Sequence, residues 1–332
     1  MKRNYFTPLL AGIIAVSASQ AGADPLPKLN VDKSQTSVSG ISSGGYMAVQ
    51  LHIAYSAIFR KGAGVVAGGP YNCAEGAIGN ALGRCFGRAS IPVAALAATT
   101  RAWAKDGAID PVENLAAAKV YLFAGAKDSV VNPATSADLF SYYQNFLPAA
   151  NLAYKKDLDA EHAMITDDFG AACTVKASPF INNCGFDLAG AILQHLLGPL
   201  NPRNDMLKGA LLEFDQSAFV AGHGMATSGW VYIPEDCAQG AQCRIHVALH
   251  GCKQNTADIG EVFVRNAGYN RWADSNRIVV LYPQTGQKAI NSCWDWWGYD
   301  APDYAKKSAP QMSAIAAMVA QLGGGTAMPS KP

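Results

Sequence analysis

Four short apolar runs constrain what this chain can fold into: Val120-Tyr121-Leu122-Phe123-Ala124, Trp230-Val231-Tyr232-Ile233, Ile245-His246-Val247-Ala248-Leu249 and Ile278-Val279-Val280-Leu281-Tyr282. Each is shorter than an ordinary helix and rich in β-branched and aromatic residues, the signature of a strand buried on both faces. Segments 36–39 and 152–156 read as further short strands. Ala-rich stretches with helical patterning occupy 45–59, 91–104, 136–146 and 311–322. Buried strands alternating with helices predict an α/β fold: a mostly parallel sheet with helices on both faces.

Half of the 332 residues are hydrophobic and 15% are charged, enough apolar material for a large core. The 26 basic and 25 acidic residues leave a formal charge of +1. That balance excludes the strong field by which a protein gathers nucleic acid or an anionic membrane, so neither is expected as a partner. At the N-terminus, Lys2 and Arg3 precede an apolar stretch from Phe6 to Val16, and Ala21-Gly22-Ala23 follows. This is the pattern of a secretory signal peptide over 1–23, with the mature chain starting at Asp24. The apolar stretch falls short of the ~20 residues that span a bilayer, so no stable membrane insertion is expected. An exported chain with eight cysteines, an even number, is expected to form disulfides. Of the 105 possible connectivities, the sequential one is taken as the expectation: Cys73–Cys85, Cys173–Cys184, Cys237–Cys243 and Cys252–Cys293. There is no C-x-x-C spacing to suggest a metal.

Gly40-Ile41-Ser42-Ser43-Gly44 fits G-x-S-x-G, the nucleophile elbow, in which a sharp strand-to-helix turn lifts a serine above a sheet. Segment 36–39 supplies a strand before it and Gly45-Tyr46-Met47-Ala48 a helix start after it. In elbow-bearing folds an acid and then a histidine follow the serine along the chain. Asp128 follows the run ending at Ala124, and His162 follows the strand expected at 152–156. In the proposed triad His162 takes the Ser42 proton and Asp128 holds the imidazole's tautomer. Asp157 and Asp159 compete for the acid's place. Among the other histidines, His52, His195, His246 and His250 stand in or beside expected helices and strands, and His223, in a Gly-rich loop, is the alternative base.

Leu249-His250-Gly251-Cys252 ends another strand. A strand followed by His-Gly resembles the loop that completes the oxyanion hole in α/β-hydrolases. The expected donors are the backbone N–H groups of Ser43 and Cys252. In such folds the loop precedes the nucleophile; here it comes about 210 residues later. A circular permutation accounts for this: one catalytic domain over 24–332, with the nucleophile, acid and base in 24–200 and the oxyanion loop in 201–322. Asn291-Ser292-Cys293-Trp294-Asp295-Trp296-Trp297 packs three tryptophans into four positions. A Cys252–Cys293 bridge would hold them near the nucleophile, where aromatic faces suit an apolar substrate.

Together, Gly40-Ile41-Ser42-Ser43-Gly44-Gly45-Tyr46-Met47, Gly125-Ala126-Lys127-Asp128, Leu249-His250-Gly251-Cys252-Lys253-Gln254 and Cys293-Trp294-Asp295-Trp296-Trp297 resemble the esterase family of poly(3-hydroxybutyrate) depolymerases, in its circularly permuted single-domain form. The resemblance implies a Ser42–Asp128–His162 triad, an oxyanion hole at Ser43 and Cys252, substrate subsites at Tyr46, Trp294, Trp296 and Trp297, and neither a metal nor an organic cofactor. It implies a secreted enzyme, extracellular or periplasmic, that hydrolyses a polyester or its oligomers; a monomer is expected. A feruloyl or acetyl-xylan esterase shares the His-Gly-Cys and Cys-Trp-Asp-Trp pattern and is the first alternative. A catalytically silent polymer-binding protein is the second, and a peptidase the third.

Overall fold

The computed structural model describes Met1 and residues 23–324 apart from 88 and 221. Of the signal peptide read over 1–23, residues 2–22 lie outside the described residues. Among the described residues twelve strands form: β1 (Asp24–Pro25), β2 (Val31–Ile41), β3 (Gly62–Val66), β4 (Lys119–Phe123), β5 (Leu152–Lys155), β6 (Met164–Thr166), β7 (Ala171–Ala172), β8 (Ile181–Asn183), β9 (Ala210–Asp215), β10 (Ser228–Ile233), β11 (Cys243–Leu249) and β12 (Ile278–Tyr282). Nine of them make one sheet in the order β1-β9-β10-β12-β11-β2-β3-β4-β5, and β6, β8 and β7 make a small second one. Pairing in the large sheet is parallel except where β10 meets β9 and β12.

Counted from β9 to the end of the chain and then on from β2, the eight longer strands lie in the order 1-2-4-3-5-6-7-8. This is an α/β-hydrolase sheet whose halves are exchanged along the chain. The seam is the parallel pairing of β11 with β2, which sets Leu249 opposite Gly40 and Ala248 opposite Ser39. The carboxyl ends of β11, β2, β3, β4 and β5 therefore point the same way. In open α/β sheets, ligands bind in the crevice beyond those ends.

Alternate residues of each strand feed the two faces of the sheet. Val247, Leu249, Val279 and Leu281 enter one core, with Met47 and Leu51 of the helix Ser43–Ala54, Leu139 of Pro133–Tyr143 and Ile315 of Pro310–Leu322. Ala248, Ile278 and Val280 enter the other, against Ile192 and Leu196 of the helix Leu188–Leu197 and Ala273 of Tyr269–Asn276. The helix Ser43–Ala54 is buried on every side, which its run of small and apolar residues permits. Disulfides join Cys73 to Cys85, Cys173 to Cys184, Cys237 to Cys243 and Cys252 to Cys293.

Three histidines are wholly buried within this framework. His52 pairs with the Tyr143 hydroxyl at 3.0 Å, His246 lies between the hydroxyls of Ser37 and Ser39 at 2.8 and 2.7 Å, and His250 directly follows β11. Burial drives His52 and His246 down to a pKa of about 3 and His250 to about 4. These rings stay neutral in the fold and take up protons only when it opens, so stability falls as pH drops below the ordinary histidine value of about 6.5. Each proton taken up steepens that fall by about 1.4 kcal/mol per pH unit. Denaturant unfolding followed from pH 7 to pH 4.5 is expected to show a slope of several kcal/mol per unit; a flat profile contradicts the neutral burial of all three.

Candidate active site

Ser42 stands where β2 turns into the helix Ser43–Ala54, at φ 56° and ψ −121°, a conformation that non-glycine residues seldom adopt. Close approach explains the flanking glycines. A Cβ on Gly40 would lie 2.2 Å from the Gly44 carbonyl oxygen, and one on Gly44 would lie 2.3 Å from that of His250. The Ser42 N–H donates to the Val66 carbonyl at 2.9 Å, and its own carbonyl accepts from Tyr46 N–H at 2.9 Å, so both sides of the turn are held. The side chain lines a cavity of about 220 Å³.

His162 lines the same cavity. Its Nδ1 lies 2.8 Å from Asp128 Oδ2, with both side chains buried. Asp128 Oδ1 accepts the N–H groups of Val130 and Val131 at 2.9 Å each, which fixes the carboxylate's orientation. The loops after β4 and β5 fit closely: a Cβ on Gly125 would meet the Ala160 carbonyl at 2.2 Å, and Lys127 N–H donates to that carbonyl at 3.1 Å. Glu161 ties them further by accepting from His162 N–H at 2.7 Å and Ser129 N–H at 3.2 Å. Partial burial works to raise the Glu161 pKa, but bonds from Ser129 and His162 outweigh it and hold the carboxyl below its ordinary value.

The loop after β11 closes the cavity from the other half of the chain. His250 Nε2 accepts the Thr285 N–H at 3.2 Å, so the ring's proton sits on Nδ1, which donates to the Gly251 carbonyl at 2.7 Å. The cavity wall is mostly apolar: Ile41, Phe86, Val130, Phe180 and the Cys252–Cys293 bridge.

The four aromatic residues expected as substrate subsites are placed elsewhere. Trp294 is fully buried, its indole N–H donating to the His250 carbonyl at 3.0 Å. Trp296 and Tyr46 are buried and stacked, ring centres 4.4 Å apart, and Trp297 packs against Trp296 and Tyr299. None of them lines the cavity beside Ser42. Rings this large contribute most when both faces are packed, and the disulfide leaves Cys293 at the cavity while the tryptophans after it turn into the core. Their work is support: Trp296 backs Phe86, ring centres 4.9 Å apart, and Phe86 is the ring that lines the cavity.

The competing residues lie apart from this cavity. His223 is exposed and faces Asp300 at 3.2 Å, His195 bonds the Asn151 carbonyl, and Asp157 pairs with Lys155. Asp159 does not line it either. A second cavity of about 280 Å³ shares no lining residue with the first, and its cations are paired: Arg203 with Asp167 and Asp187, Arg271 with Asp168 and Asp205. Among the described residues no group of three or more His, Cys, Asp or Glu side chains could hold a metal. Sequence reasoning missed Phe86, Val130, Phe180 and Asn291 in the wall. Phe86 follows Cys85, the one local signal that could have pointed to it. Gly44→Ala is expected to destabilise the protein by about 1–3 kcal/mol and to depress ester hydrolysis with it. Equilibrium unfolding beside an esterase assay checks this, and an unchanged midpoint contradicts the close approach.

Comparison with known proteins follows the same lines. The family described as "Esterase PHB depolymerase" matches residues 227–325, the part that carries the His250 loop and the tryptophan segment. A poly(3-hydroxybutyrate) depolymerase of Delftia acidovorans is 58% identical over 97% of this chain, and the chain spans 66% of that relative's length. A polyhydroxybutyrate depolymerase of Talaromyces funiculosus is 40% identical over 94% of this chain and 96% of the relative. The crystal structure of PHB depolymerase from Penicillium funiculosum superposes with a TM-score of 0.86 at 38% identity, covering 91% of this chain and 99% of that one. A PHB depolymerase complexed with an R3HB trimer matches equally well. With a relative matched along almost its full length and a fold shared with solved members, the chain belongs to the PHB depolymerase family of carboxylic ester hydrolases.

Proposed function

We propose that this protein hydrolyses poly(3-hydroxybutyrate)-type polyester or its oligomers through an acyl-enzyme on Ser42. The observation that carries the substrate is the 38% identical solved relative, matched over 91% of this chain, which is complexed with an R3HB trimer. The cavity supports it. It shares Phe86 and Val130 with a groove of about 610 Å³ on one side, and Phe180, Lys253 and Asn291 with one of about 410 Å³ on the other. A cavity that shares its walls with two further grooves suits a chain with several ester units rather than a single small ester.

The mechanism follows from the hydrogen bonds. With Nδ1 bonded to Asp128, the neutral His162 ring leaves Nε2 as its basic nitrogen. Nε2 takes the Ser42 Oγ proton as the oxygen attacks the ester carbonyl, and Asp128 stabilises the imidazolium that forms. The carbonyl oxygen becomes an oxyanion held by the N–H groups of Ser43, at the helix start, and Cys252, each contributing about 10²–10³ in rate. His162 returns the proton to the leaving hydroxyl of the shortened chain. A water, deprotonated in turn by His162, attacks the 3-hydroxyacyl ester of Ser42; the acyl–Oγ bond breaks, His162 returns the proton to Ser42 Oγ, and the 3-hydroxy acid leaves as a carboxylate. No metal or organic cofactor enters these steps.

Residues 24–332 are proposed as one catalytic domain, supported by a sheet that draws on both halves, and the protein is proposed to act as a monomer. The four disulfides support an exported protein, periplasmic or extracellular. Clearing of an amorphous poly(3-hydroxybutyrate) suspension, with p-nitrophenyl butyrate hydrolysis in parallel, tests the reading. The wild type is expected to do both and Ser42→Ala neither. Cleavage of the small ester with release of ferulate or acetate from arabinoxylan, and no clearing, would overturn the polyester substrate. Asp128→Asn is expected to lower kcat by about 10⁴ because the histidine is held in the wrong tautomer; a loss under tenfold contradicts the assignment of the acid.

A further inference from the structure

We infer that Gln254 is a positioning residue for the oxyanion hole, holding the Cys252 donor and the Phe180 wall of the cavity as one body. The inference rests on the Ser42 acyl-enzyme reading. The Gln254 side chain is buried against the cavity, 2% exposed. Its Oε1 accepts the Gly251 N–H at 2.7 Å, and its Nε2 donates to the carbonyls of Pro179 and Phe180, both at 2.9 Å. Both amide hydrogens are used. Exchanging O and N would set the amide nitrogen against the Gly251 N–H and the oxygen against two carbonyls, so one orientation is fixed. The two loops it joins come from opposite halves of the chain, and Phe180 is itself held at φ 56°.

The backbone around Gly251 shows what this bridge does. The Gly251 carbonyl is held by His250 Nδ1, and a trans peptide points the following N–H, that of Cys252, the opposite way. The Gly251 N–H is taken by Gln254 and the Lys253 N–H by the Asn291 carbonyl at 3.0 Å. The Cys252 N–H between them has no protein acceptor among the described residues, and Cys252 lines the cavity. Gln254 thus occupies the neighbouring donor and leaves one N–H aimed at the reacting carbonyl. A glutamate at this position could accept from Gly251 but could not donate to Pro179 and Phe180, and its charge would oppose the growing oxyanion. Protonated, it regains a donor and loses the charge.

The test uses Gln254→Met and Gln254→Glu with p-nitrophenyl butyrate, alongside wild type and Ser42→Ala, with thermal unfolding of each. Both Gln254 variants are expected to lose about 10- to 100-fold in kcat with KM changed less than about threefold, as a misplaced transition-state donor requires. Affinity for a trifluoromethyl ketone, which forms a hemiketal oxyanion on the serine, is expected to fall by a similar factor. The Glu-to-wild-type ratio of kcat is expected to rise about tenfold from pH 8 to pH 5.5; the ratio cancels the titration of His162, and this pH signature is one that a merely structural role would not produce. Activity within twofold of wild type, or a ratio flat with pH, overturns the inference. If Gln254→Met fails to fold, the pH ratio of Gln254→Glu still decides. Retained activity in Ser42→Ala would instead remove the acyl-enzyme reading and this inference with it, whereas a dead Ser42→Ala beside wild-type-like Gln254 variants sinks the Gln254 role alone.

Discussion

The parallel pairing of β2 with β11 is the constraint on which the rest depends. It sets Gly40 opposite Leu249, so the serine turn and the His250-Gly251 loop leave the sheet side by side, and it brings Gly44 against the His250 carbonyl with no room for a side chain. Ser42, the proposed nucleophile, thereby lies beside Cys252, the proposed oxyanion donor, although some 200 residues separate them along the chain. A permuted order costs nothing once the pairing forms, because the sheet reads only which strands are neighbours. Loops that need a fixed relation are then stapled where they leave the sheet: Cys252 to Cys293, Gln254 to Pro179 and Phe180, and the acid loop to the histidine loop through Glu161.

The site separates groups that face the cavity from groups that aim them. Ser42, His162, Phe86 and Phe180 face it. Behind them, Asp128 orients His162, Trp296 backs Phe86, and Trp294 and His250 brace the end of β11. The backing groups are buried and held by bonds of fixed direction, and burial keeps His250 neutral, as a ring that accepts at Nε2 and donates at Nδ1 must be. Asp295 shows the same arrangement one layer out. Burial raises its pKa, while four backbone N–H groups from Gly298 to Ala301 surround its carboxylate and organise the loop that carries Trp296 and Trp297.

Much of the fold was legible because strands buried on both faces announce themselves. The expected run at 278–282 coincides with β12, and those at 120–124, 230–233 and 245–249 fall within one or two residues of β4, β10 and β11. The strand β3 was missed: Gly62-Ala63-Gly64-Val65-Val66 carries two glycines and reads as a turn, yet Gly64 is there because Ile192 and Ser39 press against it. The tight turn at Ser42 and the pairing of Asp128 with His162 were legible because such turns demand glycines and the two later residues stand in loops just past strands. The cavity wall was not, since which face of a tryptophan meets solvent is decided by packing. Three tryptophans in four positions look like a binding surface in sequence and turn out to be the support behind one.

Ser42, activated by His162 and served by donors from both halves, is the proposed nucleophile. The most direct measurement is reaction with a p-nitrophenyl alkylphosphonate, following nitrophenol release and mapping the adduct by peptide mass spectrometry. A stoichiometric adduct on Ser42 is expected, formed rapidly in the wild type and at least about 10³-fold more slowly in His162→Gln. An adduct on another residue, or full ester hydrolysis by a protein the phosphonate leaves unlabelled, would contradict it.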